Sequence, residues 1–174
     1  MKIKIITTLA FLTICMIIFS CAELKLYGTN KEQSGVYELA KVDSIRNYLF
    51  NASGSVVKDT IIIKYDFNND DCWNMLDQQS NEYISNVVNG MNLYIAAYQN
   101  AHPKSSVYQF REKGKNFNKL KLRNKNIIID NGFLRKNIFN TLATCGTSLK
   151  LYPDGHYQFI YSDSHFAALQ PVKK

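Results

Sequence analysis

The first 20 residues constrain the fold most, because their pattern is that of a segment removed before the chain folds. Lys2 and Lys4 make the start positive, and an apolar run of fifteen residues follows, from Ile5 to Phe19. That run is shorter than the roughly 20 residues that a membrane-spanning helix needs, and it suits the apolar part of a secretory signal peptide. The sequence therefore predicts a signal peptide over residues 1–20 and an exported mature chain of 154 residues.

The end of this segment carries a more specific pattern, Ile18-Phe19-Ser20-Cys21. It resembles the lipobox of bacterial lipoproteins, in which a branched aliphatic residue comes first and a small residue precedes the cysteine. Phe19 departs from that pattern. The resemblance implies cleavage before Cys21 and lipidation of Cys21, with palmitate among the acyl chains. It also implies anchoring to a membrane of the bacterial cell envelope, facing the periplasm or the cell surface. An ordinary signal peptide and an uncleaved anchor are the alternatives.

The charge of the mature chain is concentrated in one segment. The formal charge of +7 falls to +5 without Lys2 and Lys4, and seven basic residues lie between Arg111 and Lys125. In residues 118–123 the charges alternate with apolar residues, which indicates a strand with one solvated face rather than a binding surface. Since an exported protein rarely meets nucleic acid, the expected partners are the membrane, through the lipid, and a protein, with no nucleic acid.

The mature chain has the size of one domain, and its pattern divides it into three parts. Residues 21–35 are polar and unpatterned, as in a lipidated tether, and residues 36–57 have the apolar spacing of an amphipathic helix over 36–50 followed by a turn. Residues 58–174 form the main domain. There we expect a buried strand at 59–67 and then a helix from Cys72 towards His102, which Asn89-Gly90 could divide in two. Strands at 106–111 and 126–130 follow, with short helices at 133–142 and 166–169.

A hairpin is the clearest local prediction. Alternating runs at 148–152 and 156–161 flank Pro153-Asp154-Gly155, which is a strong turn signal.

This order of elements, over roughly residues 58–170, resembles a thioredoxin-like domain of the periplasmic thiol-disulfide oxidoreductases. In that family a strand leads into a Cys-x-x-Cys motif at a helix start, where Cys72 stands here, and a cis-proline loop leads into a hairpin. The resemblance implies an α/β fold with a central mixed sheet flanked by helices and a C-terminal β-hairpin. Met75 replaces the second cysteine, and the loop Cys145-Gly146-Thr147-Ser148 lacks the proline, so the domain is a degenerate member.

Two cysteines remain for chemistry, because Cys15 leaves with the signal peptide and Cys21 is taken by lipid. Thiols in an oxidising compartment tend to pair. The resemblance implies that Cys145 faces Cys72, as a structural disulfide or as a redox pair, with unpaired buried thiols as the alternative. Asp70 and Asp71 would oppose ionisation of Cys72.

Metal and acid–base patterns are weak, so the sequence predicts no metal, no cofactor and no assigned catalytic residue. Residues 66–77 place oxygen ligands as in a calcium loop, but Asp71 occupies the position that needs glycine. Turn and cap roles explain these residues better. His156 and His165 each follow an aspartate by two residues, and a hairpin-edge position is the simpler interpretation of His156.

Two function classes therefore stay open. The first is a lipid-anchored exported protein that uses a degenerate thioredoxin-like scaffold for binding or for an accessory role in the cell envelope. The second is a thiol-disulfide oxidoreductase acting through Cys72 with Cys145. An enzyme needs Cys72 exposed and readily reduced, whereas a structural disulfide is buried and resists reduction.

Overall fold

The protein is built on a six-stranded mixed sheet. The computed structural model describes residues 25–26, 31–68, 70–114, 124–163 and 165–170. The strands of the main sheet are β2 (Lys31–Val36), β3 (Thr60–Asp66), β4 (Ser105–Arg111), β5 (Ile127–Ile129), β7 (Thr147–Leu151) and β8 (His156–Tyr161). Their order is β2-β8-β7-β3-β4-β5. A separate parallel pair joins β1 (Lys25–Leu26) to β6 (Leu142–Ala143).

Helices cover both faces of the sheet. They are α1 (Leu39–Ser53), α2 (Asp71–Asp77), α3 (Asn81–Ala101), α4 (Phe133–Asn137) and a 3-10 helix (Ala167–Leu169). The larger core contains apolar residues of α1 and α4 and lies on one face. A smaller core, with residues of α3 and the 3-10 helix, lies on the other face.

The central strand β3 owes its position to its apolar composition. It pairs parallel with β4 and antiparallel with β7, and six of its seven residues are buried. Ile61, Ile63 and Tyr65 belong to the larger core, whereas Ile62 belongs to the smaller one. Because side chains alternate along a strand, Lys64 and Asp66 lie on the same face as Ile62.

The connectivity confirms the predicted fold class. After β3 the chain forms α2 and α3 and returns as the parallel strand β4, and later the β7–β8 hairpin packs antiparallel beside β3. This is a thioredoxin-like α/β arrangement with a C-terminal hairpin. β5 and β2 extend the sheet at its two edges.

The amino-terminal boundary differs from the sequence prediction. β2 begins at Lys31, inside the stretch 21–35 predicted as a tether, and it pairs antiparallel with β8 along its whole length. Val36 ends this strand and is 61% exposed, so its predicted place on the apolar face of a helix is wrong; α1 begins at Leu39 and ends at Ser53. An exposed edge strand is held by backbone hydrogen bonds, which leave no hydrophobic periodicity to detect.

The long helical pattern divides earlier than expected. α2 ends at Asp77 and α3 begins at Asn81, where the Ser80 hydroxyl accepts a hydrogen bond from the Tyr83 N–H at 3.1 Å. The predicted division at Asn89-Gly90 is wrong, because Gly90 lies inside α3. The predicted helix 133–142 spans only five residues. Residues 1–20, Cys21 and the predicted strand 118–123 lie outside the described residues.

Candidate functional site

A disulfide joins Cys72, the second residue of α2, to Cys145 in the loop before β7. The two residues are 73 positions apart in sequence, and their Cα atoms are 5.2 Å apart. Cys72 is half-buried, whereas Cys145 is only 7% exposed. The structure therefore brings together the two cysteines that the resemblance implied would face each other, with Cys72 as the more accessible one.

Backbone contacts hold both cysteines in place. Asp70 caps α2, with its Oδ1 accepting from the Cys72 N–H at 2.9 Å. The N–H of Asp71 donates to the carbonyl of Thr144 at 3.0 Å, which ties the start of α2 to the loop before β7. On the other side, the carbonyl of Gly146 accepts from the Asp163 N–H at 2.7 Å.

A cavity of about 330 Å³ lies directly beside the disulfide. Both cysteines line it, and α2 and α3 supply an apolar wall that includes the exposed Tyr83. The polar lining consists of Lys64 and Asp66 of β3, Gly146 and the exposed His165. The remaining wall residues are Leu76, Val87 and Met91.

A buried ion pair closes the polar side of this cavity. The Nζ of Lys64 lies 3.7 Å from Oδ1 of Asp66, and each residue is 2% exposed. Lys64 also donates a hydrogen bond to the carbonyl oxygen of Asp163. Removing two charges from water is costly unless they are paired and hydrogen-bonded, so the contacts with Asp66 and Asp163 are what make a buried Lys64 tolerable.

Gly146 lets the loop of Cys145 pass close to this pair. A Cβ at that position would lie 2.7 Å from the Lys64 Nζ and 2.8 Å from the Tyr65 carbonyl oxygen, and closer still to Asp66 Oδ1. A larger residue would have to displace the ion pair. In the described residues no peptide bond is cis.

Asp163 fastens the segment after β8 to the same site. It is fully buried; its Oδ2 accepts from the Ser148 hydroxyl at 2.5 Å and its Oδ1 from the Ala167 N–H at 2.6 Å. The main chain of Asp163 also contacts Lys64 and Gly146, so this residue links β3, β7 and the 3-10 helix.

Arg111 adds a second buried cation near the carboxylate of Asp66. It pairs with Asp66 across β3 and β4 and is 1% exposed. Burial disfavours the charged guanidinium and lowers the pKa of Arg111 to about 9, against the opposing influence of Asp66 and Asp77.

Sequence reasoning did not connect Lys64, Asp66 or Gly146 with the cysteines. The available signal was that Lys64 and Asp66 interrupt the apolar run of β3 at alternate positions, which puts both on one face.

The weaker sequence patterns resolve into structural roles. Asp154 and His156 form an exposed contact of 2.9 Å at the hairpin turn, and the pKa of Asp154 is lowered, chiefly by the backbone N–H of His156. This agrees with the hairpin-edge interpretation. In the calcium-like segment, Asp70 caps α2, as the turn and cap interpretation predicts. Asp66 instead is a buried strand residue that pairs with Lys64, a role that this interpretation did not include.

Comparisons of the chain with models of known protein families, with curated proteins and with solved structures found no match. Within the described ranges, none of the helices combines the length and the apolar character that crossing a membrane requires.

Proposed function

We propose that this chain is a lipid-anchored protein of the bacterial cell envelope whose thioredoxin-like domain exchanges disulfides with protein thiols through Cys72 and Cys145. One observation carries the proposal: the disulfide lines a cavity, and its Cys72 end is accessible. A purely structural disulfide needs no such opening, whereas an incoming thiolate must reach one sulfur along the line of the S–S bond. The amino-terminal pattern at Cys21 supports the anchor.

The accessible sulfur defines the order of the exchange. A substrate thiolate attacks Sγ of Cys72, forms a mixed disulfide and releases Cys145 as a thiolate. A second substrate thiol then attacks the substrate's own sulfur in that mixed disulfide and releases Cys72. The substrate leaves with a disulfide, having lost two electrons and two protons, and the pair is left as two thiols. Lys64, which contacts the loop next to Cys145, provides a cation that favours the departing thiolate.

The first test is the reduction potential of the pair in the full chain, measured by alkylation and mass spectrometry across a series of dithiol buffers. We expect half-reduction between about −270 and −120 mV, the range of known exchange proteins. A bond that persists below about −300 mV would mark a structural disulfide and contradict the proposal.

A trapping experiment assigns the two cysteines. Cys145→Ser leaves Cys72 as a free thiol, whose thiolate attacks a disulfide of a protein partner and releases one partner thiolate; without Cys145 to displace the partner, the mixed disulfide should accumulate. Cys72→Ser leaves only the buried Cys145 of the pair and should trap little. Equal trapping by both variants would overturn the roles given to the two residues.

The second candidate is a binding scaffold with a structural disulfide, and the exposed apolar side chains near the cavity favour it. Met75 of α2 is 59% exposed and Tyr83 is 53% exposed. A scaffold should keep its partner when both cysteines are replaced by serine and should lose it in Tyr83→Ser. If the protein exchanges disulfides instead, covalent capture of a partner should be lost when Cys72 is replaced. In Tyr83→Ser the same capture should be only partly reduced.

A further inference from the structure

Three potential metal-binding side chains converge at the disulfide. One carboxylate oxygen of Asp70 and the sulfurs of Cys72 and Cys145 all lie within 4.8 Å of one another. Asp70 is fully buried, so its carboxylate lies inside the protein beside the sulfurs rather than in solvent. Cysteine thiolates with a carboxylate are a ligand set that zinc accepts.

We propose that the reduced form of this site binds one Zn²⁺ ion through Asp70, Cys72 and Cys145. The proposal rests on the proposed function, since the disulfide must first be reduced. A dithiol supplies two electrons and two protons, becoming a disulfide itself, and leaves two thiols on the protein. Each thiol then releases one proton when its sulfur binds the metal.

The spacing suits a tetrahedral ion. With zinc–sulfur bonds of about 2.3 Å and zinc–oxygen bonds of about 2.0–2.2 Å, neighbouring ligand atoms lie roughly 3.4–3.8 Å apart. The carboxylate oxygen and the two sulfurs lie within 4.8 Å of one another. Once the disulfide is reduced, the sulfurs must separate to that distance, and a Cα distance of 5.2 Å lets side-chain rotation achieve this while the start of α2 and the loop before β7 stay in place. The fourth position faces the cavity, where a water molecule completes the shell.

Zinc also resolves the electrostatic problem that Asp70 creates for the thiols. A buried carboxylate beside two thiolates is unfavourable on its own, because like charges repel in a low dielectric. A divalent cation at their centre converts that repulsion into attraction and stabilises both thiolates. Binding is therefore restricted to the reduced state, and reoxidation to the disulfide removes two of the three ligands and releases the ion.

The test uses the full chain in detergent, with Cys15→Ser and Cys21→Ser so that only the two site thiols remain. The reductant is a phosphine, because dithiols compete for zinc. Cobalt(II) is the spectroscopic probe: one equivalent should give thiolate-to-metal charge-transfer bands and the visible bands of a tetrahedral ion. Zinc should displace it, and competition with a chromophoric chelator gives the affinity. The oxidised protein should give no such spectrum.

Two neighbouring acids provide a matched pair of variants. Asp70→Asn keeps an amide oxygen to accept from the Cys72 N–H but loses the anionic ligand, so it should weaken zinc binding at least about tenfold. Asp71→Asn removes an exposed charge one residue away and should change the affinity less than about twofold. Thermal unfolding of the oxidised variants checks that both fold.

The outcomes separate this proposal from the proposed function. If two free thiols are counted after reduction and cobalt gives no thiolate bands, the zinc site is wrong while disulfide exchange stands. If the disulfide survives the phosphine, both are wrong. Equal weakening by Asp70→Asn and Asp71→Asn would remove Asp70 from the ligand set.

Discussion

Gly146 shows how much of the site depends on the absence of one side chain. The loop that carries Cys145 passes over the buried pair of Lys64 and Asp66, at distances that leave no room for a Cβ. The backbone of Gly146 is not in the left-handed region that favours glycine, so the requirement is close approach rather than backbone conformation.

Gly146→Ala should therefore destabilise the protein by about 1–3 kcal/mol, because inserting a methyl group here displaces a buried ion pair. It should also slow disulfide exchange by shifting Cys145. Chemical denaturation and exchange kinetics measure the two effects. Gly90→Ala is the control, since apart from its chain neighbours and the backbone of α3 no atom lies within 4 Å of the added carbon, and alanine favours helix by up to about 1 kcal/mol. Equal effects at both glycines would contradict this account.

Among the elements, one buried carboxylate joins α1, β3 and α4. Asp130 accepts hydrogen bonds from the Tyr48 hydroxyl at 2.8 Å and the Tyr65 hydroxyl at 2.9 Å, and from the N–H groups of Leu134 and Arg135 in α4. Burial raises the pKa of Tyr48 and of Tyr65, and the neighbouring Asp130 raises each further. The five-residue helix α4 is thus held in place by the Asp130 carboxylate, which lies outside it.

These shifts predict a loss of stability at high pH. In the unfolded chain a tyrosine ionises near pH 10, whereas in the folded protein Tyr48 and Tyr65 keep their protons. Their contribution to the free energy of unfolding is therefore fully present below about pH 10 and declines as the pH rises above it. Tyr65→Phe should lower the free energy of unfolding by about 1–3 kcal/mol at pH 7 and make the alkaline decline shallower. Tyr94→Phe, at an exposed position of α3, should do neither. Urea denaturation between pH 7 and 11 measures both effects; parallel pH curves for wild type and Tyr65→Phe would contradict the prediction.

Over the whole molecule, the disulfide connects the start of α2 to the hairpin half of the sheet. Closing a loop across 73 residues restricts the unfolded chain far more than a local bridge would.

Replacing Cys72 and Cys145 with serine should lower the free energy of unfolding by about 4 kcal/mol, on the chain-entropy account of disulfides. Urea denaturation of oxidised wild type and of the double variant, both with a metal chelator present, gives the difference. The chelator keeps zinc from stabilising any wild-type molecules whose disulfide has become reduced. Unchanged midpoints would mean that the bond contributes little to stability and is retained for chemistry.

The prediction of elements succeeded where local patterns are strong. The β-branched run of β3, the turn at Pro153-Asp154-Gly155 and a strand at 106–111, observed as Ser105–Arg111, were all visible in the sequence, and they define the fold class. The edge strand β2 and the division at Ser80 were missed, since backbone pairing and a single capping hydroxyl leave almost no periodic signal.

The sequence by itself determined the pattern at Cys21, the α/β class, and the two cysteines available for pairing, because each depends on residue type and short-range periodicity. Only the tertiary structure decided that Lys64 and Asp66 lie beneath Gly146, that a cavity opens at Cys72, and that a carboxylate oxygen of Asp70 lies within 4.8 Å of both sulfurs. Those contacts join residues far apart in the chain. Their energies depend on burial and on ångström-scale distances. Strand register and packing determine those distances, and no local sequence pattern encodes them.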